Sequence, residues 1–185
     1  LVRGASPENR AFLLYALAYA GRADLADLNA LLRERDSLSP RALALLALAL
    51  QRTDRQTVAL DVARRLASLA VREGGTAHWE RPGAEDRKRL IGARPFAPSA
   101  PDAEPTAYAL LALIAVDPAV DEAARWLETS RHGPAWRSTR DTGAAIEALA
   151  EHARLRGVER ASGPVTVTVN DGAPINVPMD GGATR

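Results

Sequence analysis

The chain has 185 residues, with 24 basic and 23 acidic side chains and a net charge of +1. That leaves no electrostatic footprint for nucleic acid or an anionic membrane surface. The absence of cysteine excludes disulfides, a thiolate nucleophile and zinc–cysteine sites. Hydrophobic residues reach 46% with only 4% aromatic, and 38 Ala and 24 Leu carry that apolar mass. This is too apolar for disorder and enough for one domain with a real core.

Leu1-Val2-Arg3-Gly4 lacks the charged-then-apolar order of a signal peptide. The abrupt start and end are those expected of a piece of a longer protein. Ser6-Pro7 pairs an N-cap with proline at the first helical position. The helix it opens, Arg10 to Ala20, is apolar nearly all round, so burial on most sides is expected. Gly21 ends it. Asp24 to Arg35 is one-faced instead, with Leu25, Leu28, Leu31 and Leu32 inward and Asp24, Asp27, Arg33 and Glu34 outward.

The pair then recurs. Ser39-Pro40 opens a second all-apolar helix, whose run from Ala42 to Leu50 is nine residues long. A membrane span needs roughly 20, so this is a buried helix. A one-faced helix follows from Asp54 to Arg72, with Val58, Val62, Leu66 and Leu69 inward. After an insertion rich in Gly, Pro and charge, Glu73 to Asp102, Glu104-Pro105 opens a third apolar helix closed at Asp117-Pro118. Its one-faced partner runs from Asp121 to Ser130. A last helix spans Thr139 to Arg156 and stops at Gly157.

A buried helix followed by a half-exposed one, with starts at Pro7, Pro40 and Pro105, reads as stacked helical hairpins. The expected fold is all-α. Because the first helix of each pair is apolar all round, an α/α toroid fits better than an open solenoid. An incomplete ring leaves apolar faces uncovered, so self-association is expected. Residues 1–157 form this helical domain. In 158–185 the character changes: Val165, Val167 and Val169 alternate with Thr166, Thr168 and Asn170. Asn170-Asp171-Gly172 is a turn signal, and Ile175 and Val177 are placed to pair back. This tail reads as the first strands of a following β domain.

Several of these segments resemble the thioester domain of the alpha-2-macroglobulin family, in its bacterial, complement-like form. They are Thr106-Ala107-Tyr108-Ala109-Leu110-Leu111-Ala112-Leu113, Ala124-Arg125-Trp126-Leu127, Trp136-Arg137-Ser138-Thr139-Arg140-Asp141-Thr142 and Ala148-Leu149-Ala150-Glu151. The resemblance runs from about Trp79 to Arg156. It implies a toroid of helical hairpins inside a broad-range protease trap, located in the periplasm or outside the cell. Cleavage of a bait region would trigger collapse, and a Cys-Gln thioester would capture the attacker. The implied partners are proteases and neighbouring β domains. No nucleic acid, membrane span, metal or cofactor is implied, and no enzymatic activity. The family's Cys-x-Glu-Gln motif is absent; the resemblance implies that it lies upstream of Leu1 or was never present.

His78 is the one candidate for chemistry. In complement-like relatives a His-x-Glu stretch precedes the third apolar helix, and its histidine intercepts the thioester. His78-Trp79-Glu80 has that form, and neutral imidazole is a competent nucleophile or base near neutral pH. The alternative is a structural loop histidine. His132 and His152 have no spaced partners that would suggest a metal site. Trp79, Trp126 and Trp136 read as core plugs rather than a stacking platform. Arg81, Arg87, Lys88, Arg89 and Arg94 are interrupted by acids and read as a solvated loop. Ser138, Thr139 and Asp141 read as a helix cap, the hydroxyls taking free amides and the carboxylate offsetting the helix N-terminus.

Two other readings stay open. A toroid enzyme of the terpenoid-cyclase or glycan-lyase type would need acids or a Tyr/His/Asn site inside the ring, whereas Asp24, Asp61, Glu122 and Glu147 fall on outer faces. A peptide-binding helical repeat scaffold would need an exposed apolar groove.

Overall fold

The computed structural model describes residues 4–80, 103–114, 116, 120–156, 163–168 and 172–179. The chain divides into two units, Leu1–His152 and Ala153–Arg185. The charged insertion beyond Glu80, the Asp117-Pro118 and Gly157 stops and the Asn170-Asp171 turn signal lie outside the described residues.

The first unit is a stack of helical hairpins. α1 (Pro7–Tyr19) starts as its sequence dictates: Ser6 Oγ accepts from the Asn9 N–H, and Pro7 sits where no intrahelical donor is needed. Gly21, at φ 68°, ends it. The Arg22 N–H reaches the Leu17 carbonyl at 2.7 Å and the Gly21 N–H reaches that of Ala18 at 3.0 Å, the paired bonds of a glycine helix stop. α2 (Leu25–Arg33) is capped by Asp24, whose carboxylate accepts from the Ala26 N–H at 2.7 Å. A 3-10 turn, Arg35–Ser37, leads to α3 (Pro40–Arg52), capped by Ser39 through the Ala42 N–H at 3.1 Å.

α3 is the centre of the core. Ala42 through Ala47, Ala49 and Leu50 are all buried, because α1 and the helix over Ala103–Leu113 flank it while α2 and the helix over Gln56–Ala67 pack against it as well. α4 (Gln56–Ala67) is shorter at both ends than the 54–72 pattern suggests. Asp54 lies in the left-handed region at φ 59°, which breaks the chain between α3 and α4. At the far end, β1 (Val71–Glu73) and β2 (Thr76–His78) form a hairpin. Its two-residue turn is Gly74-Gly75, with φ of 57° and 76°. Positive φ at both turn positions is the geometry that matches strand twist and that glycine adopts freely.

α5 (Ala103–Leu113) is buried on almost every side, α6 (Val120–Thr129) is one-faced, and α7 (Thr139–Arg156) closes the helical series. α1 departs from the all-round burial expected of it. Ala11, Leu14 and Ala18 are buried, while Phe12, Leu13 and Tyr19 are exposed, the last at 61%. The reason is position: α1 packs chiefly against α3, less against α2, and meets α5 through Tyr15 and Tyr108, so its outer side stays wet.

In the second unit, β3 (Gly163–Val167) and β4 (Ile175–Met179) pair antiparallel, with Val165 opposite Val177 and Val167 opposite Ile175. Val165 and Val167 pair with Val177 and Ile175 in the hairpin expected of them, and Val169 lies outside the described residues. The whole is an all-α fold with short antiparallel hairpins, and no described helix is long and apolar enough to cross a membrane.

Candidate functional site

The candidate residues fall in two clusters, and both rest on the first turn of α5. The first is the β2 end. His78 is buried, its ring stacked on the Trp126 indole of α6 with centroids 5.0 Å apart and planes 13° from parallel. Its Nε2 lies 3.4 Å from Glu80 Oε1. Trp79 anchors the strand end: its indole N–H donates to the Leu66 carbonyl at 2.7 Å, and its backbone N–H donates to Thr106 Oγ1 on α5 at 3.0 Å. A carboxylate beside the imidazole restrains the ring's orientation. One face of the ring is already covered by the indole.

The second cluster opens α7. Ser138 Oγ accepts from the Asp141 N–H at 3.1 Å and donates to Asp141 Oδ2 at 2.7 Å, so Ser138 is the hydroxyl that caps this helix, while Thr139 is its first residue. Asp141 is only 2% exposed. Besides offsetting the positive end of α7, its Oδ1 accepts the Glu104 backbone N–H of α5 at 3.0 Å. Thr142 Oγ1 takes the Trp136 backbone N–H at 3.1 Å, and the Trp136 indole N–H closes on the Leu127 carbonyl of α6 at 3.0 Å. The Ser-Thr-Arg-Asp-Thr run thus fastens α7 to two other helices.

Two further residues, Glu104, expected only at a helix start, and Arg41, join this cluster. The Glu104 side chain is 1% exposed, and its Oε1 is 3.0 Å from Arg41 Nη2 on α3. Arg140 Nη1 approaches its other oxygen at 3.9 Å. The Arg41 guanidinium lies 5.7 Å from the Phe12 ring centre and 5.8 Å from that of Tyr108, and 3.7 Å from Glu8 Oε2. Polar contacts therefore run from α1 through α3 and α5 to α7 at one end of the stack. The only hint in the sequence is Glu104 standing immediately before Pro105 at a helix start, since its partner Arg41 is 63 positions away.

The same face carries two aromatic hydroxyls with displaced titration. Burial pushes the Tyr15 and Tyr108 phenols up, with Glu147 adding to the first and Glu104 to the second. On the other side of α1, the hydrogen bond between Arg10 and Glu34 holds the glutamate below its usual range and the arginine above. His152 on α7 meets Asp121 on α6 at 2.8 Å. Among the described residues no three His, Asp or Glu side chains converge as metal ligands do.

A family model described as the A-macroglobulin TED domain matches residues 16–152. Comparisons with curated proteins and with solved structures gave no match. The matched span holds both clusters and α2 through α6. The chain belongs to the alpha-macroglobulin family and contains its TED, or thioester, domain.

Proposed function

We propose that this chain is the later helical portion of a protease-trap domain, which shelters a thioester carried outside these residues and presents it after activation. The observation that carries the reading is the family match over residues 16–152 in a chain with no cysteine. Acyl transfer from such a thioester releases a thiol and joins the acyl carbon to an oxygen or nitrogen of the attacking protease. The chain supplies the fold around that event and catalyses nothing alone. His78, beside Glu80, is the residue closest to a thioester role, as the interceptor that takes the acyl group or the nucleophile's proton. The β3–β4 hairpin belongs to a neighbouring β domain. The parent works in the periplasm or outside the cell, where a trap meets its proteases.

The test is covalent capture by the parent protein. Mixed with an active protease, it forms an adduct that survives denaturation, and His78→Ala changes the capture rate by about tenfold or more while the melting midpoint stays within a few degrees. An unchanged capture rate would remove His78 from the chemistry. Peptide hydrolysis by the isolated chain would overturn the whole reading.

A second reading, a helical scaffold for peptides, draws on the exposed Phe12, Leu13 and Tyr19 along α1. A peptide library that saturates the wild-type chain and loses binding with Phe12→Ala would favour it.

A further inference from the structure

We propose that α7 is a releasable strap, which opens from the body formed by α1–α6 while that body keeps its fold. The inference stands on how α7 is held, independently of the thioester reading.

The buried apolar face of α7 consists of Ala144, Ala145 and Ala148, with Leu149 half-buried and Ile146 56% exposed. α3, by contrast, buries Leu43, Leu45, Leu46 and Leu50 completely or nearly so. Apolar stabilisation scales with the area removed from water, so three alanine methyls anchor a helix far less than four leucines do. The spacing agrees: α1, α3, α4 and α5 run close together, whereas α7 approaches its described neighbours only sparsely.

Polar contacts contribute much of what holds α7 in place, and two of them sit far apart along it. Near its start, Asp141 takes the Glu104 N–H and the Ser138 hydroxyl, and Arg140 reaches the Glu104 carboxylate. Three turns on, His152 meets Asp121 of α6 at 2.8 Å. Hydrogen bonds of this kind exchange with water at small net cost where the groups become solvated. The apolar contacts of α3 have no such substitute. Opening α7 would uncover little apolar surface, and the freed polar groups would be hydrated.

Two further features suit a strap. Its sequence is alanine-rich and 18 residues long, above the length at which helices hold any structure alone. Gly143, with open space where a Cβ would stand, sits inside the helix and weakens it near the first fastening.

The experiment is native-state hydrogen exchange on the full chain, read peptide by peptide at low denaturant. Amides of α7 are expected to exchange roughly tenfold or more faster than those of α3, through an opening that depends weakly on denaturant. His152→Ala should speed α7 by a further factor of about ten and leave α3 unchanged. Asp141→Asn should act in the same direction and more strongly. Because Asp141 is buried, the His152 variant carries the test if the Asp141 variant unfolds. Equal protection of α7 and α3 in the wild-type chain would overturn the proposal. So would a His152 variant that accelerates both helices together, which is what a merely structural contact in one cooperative unit would do.

Discussion

α3 and the stretch of α7 from Thr139 to His152 lie in the same unit, yet different physics secures them. α3 is held chiefly by shape: leucine and alanine buried along most of its length against α1, α4 and α5, with a serine cap at its start and the Arg41–Glu104 ion pair in its first turn. α7 buries alanines and depends on a buried carboxylate, a capping serine, a tryptophan plug and a histidine–aspartate contact. The contrast shows that one repeat pattern can carry both a rigid scaffold and an element whose attachment is conditional. It also locates the demanding chemistry of the fold at the first turn of α5, where both the His78 strand and the α7 cap are fastened.

The comparison breaks most easily at α3. Leu46→Ala should cost about 2–5 kcal/mol and lower the melting midpoint of every probe together, because Leu46 is fully buried. A loss confined to local signals would contradict α3's place in the core. Asp141→Ala comes next, at about 2–3 kcal/mol, since it leaves the Glu104 N–H without its acceptor. Urea unfolding should show it, and a cost below 1 kcal/mol would reduce the α7 fastening to decoration.

Ser138→Ala should cost about 1 kcal/mol and Thr139→Ala less than half of that, because Ser138 holds the cap. Equal effects would return the cap to both hydroxyls. Gly143→Ala runs the other way. With nothing within 4 Å of the added methyl, it should stabilise by about 0.5–1 kcal/mol and slow exchange in α7 more than in α3. The smallest effect is at high pH. Tyr15 and Tyr108 titrate above the ordinary phenol value, chiefly from burial. The stability they contribute is complete below about pH 10 and is lost as pH rises through the raised values. Absorbance of phenolate should follow, with a component delayed beyond the free-tyrosine curve; its absence would place both rings in water.

Much of this was legible in the sequence, for reasons that are local. Ser6-Pro7, Ser39-Pro40 and Gly21 announce helix ends through backbone chemistry that needs no partner, and the leucine–alanine run of α3 can only be core. The start of α7 is readable in the same way, and its last residue, Arg156, falls where the pattern put it. What the sequence hid depends on neighbours or on competing signals. α1 is as apolar as α3 but stands at the edge of the described stack, so half of it is wet. The hydrophobic period that suggested a helix through Arg72 concealed the Gly74-Gly75 turn, where two adjacent glycines between short apolar–polar runs were the available cue. Arg41 and Glu104 are too distant in sequence to be paired by pattern. The reading of Ser138, Thr139 and Asp141 found a cap and missed that the carboxylate also serves a second helix.

The central claim is that the covalent chemistry comes from outside these 185 residues. The most direct test is intact-mass measurement after exposure to methylamine and an active protease, on this chain alone and on the parent protein. The account predicts no mass change for the chain and addition of one methylamine to the parent, with a free thiol released. A methylamine adduct on the chain alone, or a parent that never takes one up, would contradict it.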